Sequence, residues 1–189
     1  MKMNVHNKDG GFSLVELIVV ILIMGVLAAG ATISFMSVYN ADVERAGKKI
    51  SALMSIARSK ALALENDSYY IKTKVYKVSN GDYYAGVYKV NITSGAEELL
   101  EPAQEERISN YRVSLSIGKK NKSDQVALDD IGDSVEYVFK KTTGGLASVA
   151  VNGGTPLTIE DDMYKDLILS GADECWLIIV PATGRCYVK

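Results

Sequence analysis

Histidine is nearly absent from this sequence of 189 residues: the single one, His6, lies among the first ten. Without imidazole farther along, a Ser-His-Asp triad, a Cys-His pair and a zinc site built on histidine are all excluded from the rest of the chain. No enzymatic activity and no cofactor are therefore expected. Proline is scarce as well, and none of the three interrupts the chain before Pro102, so a long N-terminal helix is permitted. Neither sign of charge dominates, with 21 Lys+Arg against 23 Asp+Glu and a formal net charge of −2. A chain without residues 1–11 loses Lys2, Lys8 and Asp9 and stands one charge lower. That balance gives no global attraction to nucleic acid or anionic lipid; any such contact needs a local patch.

What is present is concentrated near the start. Gly10-Gly11-Phe12-Ser13-Leu14-Val15-Glu16 leads into a run from Leu17 to Met36 that contains no charge. At about 1.5 Å per residue such a run makes roughly 30 Å of helix, enough to cross the hydrocarbon core of a bilayer. Lys2 and Lys8 ahead of it predict a cytoplasmic N-terminus and an exported remainder. Glu16 is the odd member, because a carboxylate at the edge of a membrane segment is unfavourable by roughly several kcal/mol unless neutralised. A cut between Gly11 and Phe12 would free an amine able to do so. Two simpler readings stand beside this one. An ordinary secretory signal could use Ala28-Ala29-Gly30-Ala31 as its small-residue cleavage site, and a plain membrane anchor, tethering a binding domain that never polymerises, needs only the apolar run. Both leave Glu16 without a role.

The segment G-F-S-L-V-E-L-I-V-V-I at 11–21 resembles the N-terminal signature of type IV pilins and type II secretion pseudopilins, over residues 8 to 36. The resemblance implies a prepilin peptidase that cuts after Gly11 and N-methylates Phe12, with Glu16 pairing with a Phe12 amine during assembly. The partners it implies are that peptidase, other pilin or pseudopilin subunits and the inner or cytoplasmic membrane. Main filament subunits of the family usually carry a proline late in the apolar run; none stands near Ile33, which favours a minor pilin or a pseudopilin. Arg58-Ser59-Lys60-Ala61-Leu62-Ala63 together with Thr183-Gly184-Arg185 looks like the minor pseudopilins of the GspH/FimT type. Some FimT-like members bind DNA through a basic C-terminal G-R-x-R. Here Gly184 and Arg185 match, Tyr187 replaces the second arginine, and Lys189 follows two residues later. Arg185 and Lys189 are thus the candidates for DNA contact, with an edge-strand charge as the alternative for Arg185.

Beyond the leader at 1–11 and the filament-core segment at 12–36, residues 37–189 read as an exported head. Its helix continues to residue 64, with Ala46, Ile50, Leu53, Met54, Ala57, Ala61 and Leu64 spaced by threes and fours. Strands are expected at 69–78, 83–93, 111–117, 135–140, 146–151, 167–170, 175–180 and 185–189, with hairpins at Asn80-Gly81 and Thr142-Thr143-Gly144-Gly145. A short helix is expected at 104–108. The fold class is α+β, a long N-terminal helix packed on a β-sandwich-like head. A tight turn at Pro181-Ala182-Thr183-Gly184 pairs Ile179 with Cys186 and leaves Cys175 roughly 13 Å along its strand, too far for a disulfide; a looser loop would let Cys175 and Cys186 bridge. Two acidic groups, Glu160-Asp161-Asp162 with Asp166 and Asp129-Asp130 with Asp133, offer carboxylates of the kind calcium prefers, but without the spacing of an EF-hand loop both read as solvated loops. Lys119-Lys120-Asn121-Lys122 could contact phosphate, and a polar loop tip explains it as well.

Overall fold

The computed structural model describes residues 13–100, 105–119, 124–158, 164–171 and 173–189, and the side chains of all of these except 30–40 and 158. The chain divides into two compact units, Met1–Val38 and Tyr39–Lys189. A single helix, α1, runs from Leu14 to Leu62 and contributes to both. Glu16 in its first turn and Lys60 in its last complement the partial charges at its ends.

In the second unit the three-and-four spacing does what it predicts. Val43, Ala46, Ile50, Leu53, Met54, Ala57 and Ala61 form one buried stripe, none of them more than 5% exposed. Against it stand two sheets in which neighbouring strands are antiparallel. The larger runs β3 (Glu97–Leu99), β2 (Tyr83–Asn91), β1 (Tyr69–Lys77), β7 (Ser134–Phe139), β8 (Leu146–Val151) and β9 (Leu157–Thr158), with β4 (Glu106–Ser109) also paired to β2. The smaller runs β12 (Arg185–Val188), β11 (Glu174–Val180), β10 (Asp166–Ser170), β5 (Ser114–Gly118) and β6 (Gln125–Ala127). Alternation decides what each strand buries: Ile71 and Val75 of β1, Ala85 and Val87 of β2, Leu167 and Leu169 of β10, and Leu177 and Ile179 of β11 share one core with the helix stripe.

Both predicted hairpins form. Asn80-Gly81 turns β1 into β2, with Gly81 at φ +85, and Gly144 turns β7 into β8 at φ +66. The last hairpin has the tight register, Ile179 opposite Cys186 and Val180 opposite Arg185. Its turn also ties the sheets together. Leu146 N donates to Pro181 O at 2.9 Å, and a Cβ added to Gly145 would lie 2.7 Å from Ala182 O and 2.8 Å from Pro181 O. A Cβ added to Gly184, whose φ is +64, would crowd the Gly144 carbonyl oxygen more severely still.

Three expectations are corrected. The short helix at 104–108 is instead the strand β4 from Glu106: Tyr84 pairs with Arg107 and Tyr83 with Ser109, Ile108 is buried, and Arg107 Nε binds Asp82 Oδ2 at 2.8 Å. Among the described residues there are twelve strands rather than eight; β3 and β6 are three-residue, wholly exposed edge pieces with no apolar alternation to announce them. The helix begins at Leu14 and ends at Leu62, two residues inside each expected limit.

Candidate functional site

The site begins at the start of α1. Ser13 is its N-cap: Glu16 N donates to Ser13 Oγ at 3.2 Å, and Leu17 N to Ser13 O at 3.2 Å. Ser13-Leu14-Val15-Glu16 is therefore an S-x-x-E capping pattern, in which the serine satisfies an amide that the helix leaves open. The serine cap was legible in the sequence, and the Glu16 carboxylate suits the first turn through the helix dipole. The Glu16 side chain itself is exposed. Gly11 and Phe12 lie outside the described residues.

The side chains after Glu16 are exposed on every face of the helix. Leu17, Ile18, Val19 and Val20 are 45–55% exposed, and Ile21, Leu22, Met24, Val26 and Leu27 are 61–67% exposed. A helix apolar all round has no water-facing side and is suited to a lipid or protein surrounding. Among the described residues, no helix is long and apolar enough to cross a membrane.

At the other end of the chain, Arg185 and Lys189 are separated. Arg185 is exposed at the start of β12 and lines a pocket with Arg58 of α1. Lys189 lines a different one, beside Glu44, Asp173 and Glu174. Its main chain extends the β11–β12 pairing through Trp176, with N···O distances of 2.9 and 2.8 Å.

Both cysteines are free thiols. Cys175 is buried, its Sγ 3.2 Å from where a Cβ on Gly47 would stand, while Cys186 Sγ lies 3.3 Å from Ser51 Oγ. Burial raises the pKa of each; Glu44 adds to the effect at Cys175, and the Ser51 hydrogen bond partly offsets it at Cys186. Neither is a ready thiolate for disulfide exchange.

The remaining candidates have local tasks. Asp166 Oδ1 accepts from Ile179 N at 3.0 Å, fastening β10 to β11 inside the protein. Asp133 Oδ2 accepts from Asp130 N at 2.9 Å within its own turn. Lys119 pairs with Asp124 at 3.4 Å, and Lys120, Lys122 and Glu160-Asp161-Asp162 lie outside the described residues. Among the described residues, no group of three or more His, Cys, Asp or Glu side chains could hold a metal ion.

Residues 6–32 match the family model described as the prokaryotic N-terminal methylation motif. The match covers Gly11, Phe12, Glu16 and the exposed apolar turns, and nothing of the head. It marks a type IV pilin-like leader, a substrate for a prepilin peptidase. Comparison with curated proteins and with solved structures finds no match.

Proposed function

We propose that this chain is the precursor of a minor pilin or pseudopilin, of a kind close to the GspH/FimT type, and that its role is structural rather than catalytic. The leader is cut after Gly11 and Phe12 is methylated. The apolar helix holds the protein in the inner or cytoplasmic membrane with the leader inside and the head exported, and later enters the filament core. Burial among neighbouring helices drives association, at about 25 cal/mol per Å² of apolar surface removed from its surroundings where those are aqueous, and by close packing where they are lipid. The pairing of Glu16 with the Phe12 amine of an adjacent subunit sets the axial step.

The observation that carries this reading is the exposed Glu16 on the first turn of a helix apolar on every face, inside a methylation motif. Replacing Glu16 by alanine tests it. The expected outcome is a variant that is processed and reaches the membrane in normal amount but is lost from sheared filaments or from crosslinked assemblies. Incorporation of the variant at the wild-type level would refute the role given to Glu16, and absence of the wild-type chain itself from those assemblies would leave a membrane-tethered domain that does not polymerise.

A further inference from the structure

The C-terminal turn and the helix enclose a pocket of about 240 Å³, lined by Ser51, Ser55, Arg58, Gly184, Arg185 and Cys186. Two guanidinium groups sharing one small pocket repel each other, and such a pair is tolerated best with negative charge nearby. Among the described residues no carboxylate forms an ion pair with either of them.

Thr183 holds the Arg58 guanidinium and the main chain of Arg185. Its carbonyl accepts from Arg58 Nε at 2.7 Å, and its hydroxyl accepts from Arg185 N at 3.4 Å. Gly144 leaves room for the Arg58 stem: an added Cβ there would lie 3.0 Å from Arg58 Cγ and Nε. With Nε fixed, the terminal nitrogens of Arg58 have no partner among the described residues, nor does the Arg185 fork, and both can serve a ligand. Ser55 brings a hydroxyl to the same wall, and Ser51 is already engaged with Cys186.

From this arrangement we infer that the pocket binds a phosphate-class oxyanion. A single carboxylate presents one edge and satisfies one guanidinium fork; a tetrahedral dianion presents several edges and can meet two forks and a hydroxyl together. The site would join α1 to the last strand through the ligand, independently of how the N-terminal helix assembles.

The test is calorimetric titration of the full chain, held in detergent micelles, with inorganic phosphate at constant ionic strength. Saturable binding at one site per chain is expected. Arg185→Gln, at an exposed position, should weaken it about tenfold, as expected for losing a charge-assisted hydrogen-bonded pair, with no change in unfolding midpoint. Ser55→Ala should weaken it about fivefold, the equivalent of one neutral hydrogen bond. Lys60→Gln, on the same helix but outside the pocket, should bind as the wild type does. Glycerol 3-phosphate binding more tightly than phosphate would assign the natural ligand as an ester; the reverse order would assign a free anion. Absence of saturation, equal affinity in Arg185→Gln, or binding of a DNA duplex that phosphate cannot displace would each overturn the inference.

Discussion

The tie between the two sheets can be tested by adding one methyl group at a time. Gly145 has an ordinary backbone conformation, so alanine there brings no dihedral strain, only crowding. Its new Cβ would lie 2.7 Å from Ala182 O and 2.8 Å from Pro181 O. A comfortable carbon–oxygen approach is about 3.3 Å, so the 181–182 turn must retreat by about half an ångström. That takes the Leu146 N–Pro181 O bond, now 2.9 Å, to the edge of useful geometry. Losing most of one hydrogen bond and the packing around it predicts a cost of about 2–3 kcal/mol for Gly145→Ala. Gly95 is the control: its φ is +69 and nothing stands within 4 Å of an added Cβ, so Gly95→Ala should cost about 1–2 kcal/mol, all of it backbone. Gly184 combines the two effects, with φ +64 and a backbone oxygen in the way, and should cost the most. Urea unfolding of the Tyr39–Lys189 unit, followed by the fluorescence of buried Trp176, the one tryptophan, measures all three with comparable slopes. If Gly184→Ala were no more damaging than Gly95→Ala, the close passage of the two turns would be refuted.

Two further outcomes follow from buried polar groups. Lys72 is only 3% exposed and binds Glu136 Oε2 at 2.9 Å and Glu97 Oε1 at 2.5 Å; burial lowers its pKa, the two carboxylates outweigh that, and the net direction is upward. Because the folded pKa is raised, the stabilisation is complete below the unfolded lysine value of about 10.4 and is lost as pH rises through the folded value. Lys72→Met should therefore cost about 1–2 kcal/mol, given that both carboxylates stay partly in water, and the gap from wild type should hold up to about pH 9.5 and shrink above about 10.5. The Tyr137 hydroxyl is buried without a hydrogen-bond partner among the described residues, and its burial pushes the phenol pKa upward. Tyr137→Phe should leave the unfolding midpoint unchanged or raise it, by about 1 kcal/mol of stability; a loss beyond that would show that the hydroxyl is bonded.

What the sequence made legible was whatever local chemistry dictates. The helix core followed from spacing alone, from Ala46 to Ala61, and the hairpins at Asn80-Gly81 and Gly144-Gly145 followed from residues that accept a left-handed backbone. The register at Cys186 followed from turn length, and with it the separation of the two thiols. What stayed hidden depends on distant partners. β4 carries three charges or hydroxyls in four residues, and only the edge of β2 makes it a strand. Lys72 alternates onto the outer face of β1, as a solvated lysine would, and the carboxylates that pair with it, Glu97 and Glu136, come from other strands. Arg58 and Arg185 are 127 positions apart and meet solely because the last hairpin folds back on the helix. Glu16 is the converse case: its position was plain, but a carboxylate in the first turn also complements the helix dipole, an ordinary purpose that the membrane argument passed over.

The central claim is that this chain is cut after Gly11. Mass spectrometry of the N-terminal peptide from membrane or filament fractions tests it directly. The account predicts a protein that begins with Phe12 and carries one added methyl group on its amine. A mature protein that still begins with Met1, or that begins beyond Ala31, would contradict it.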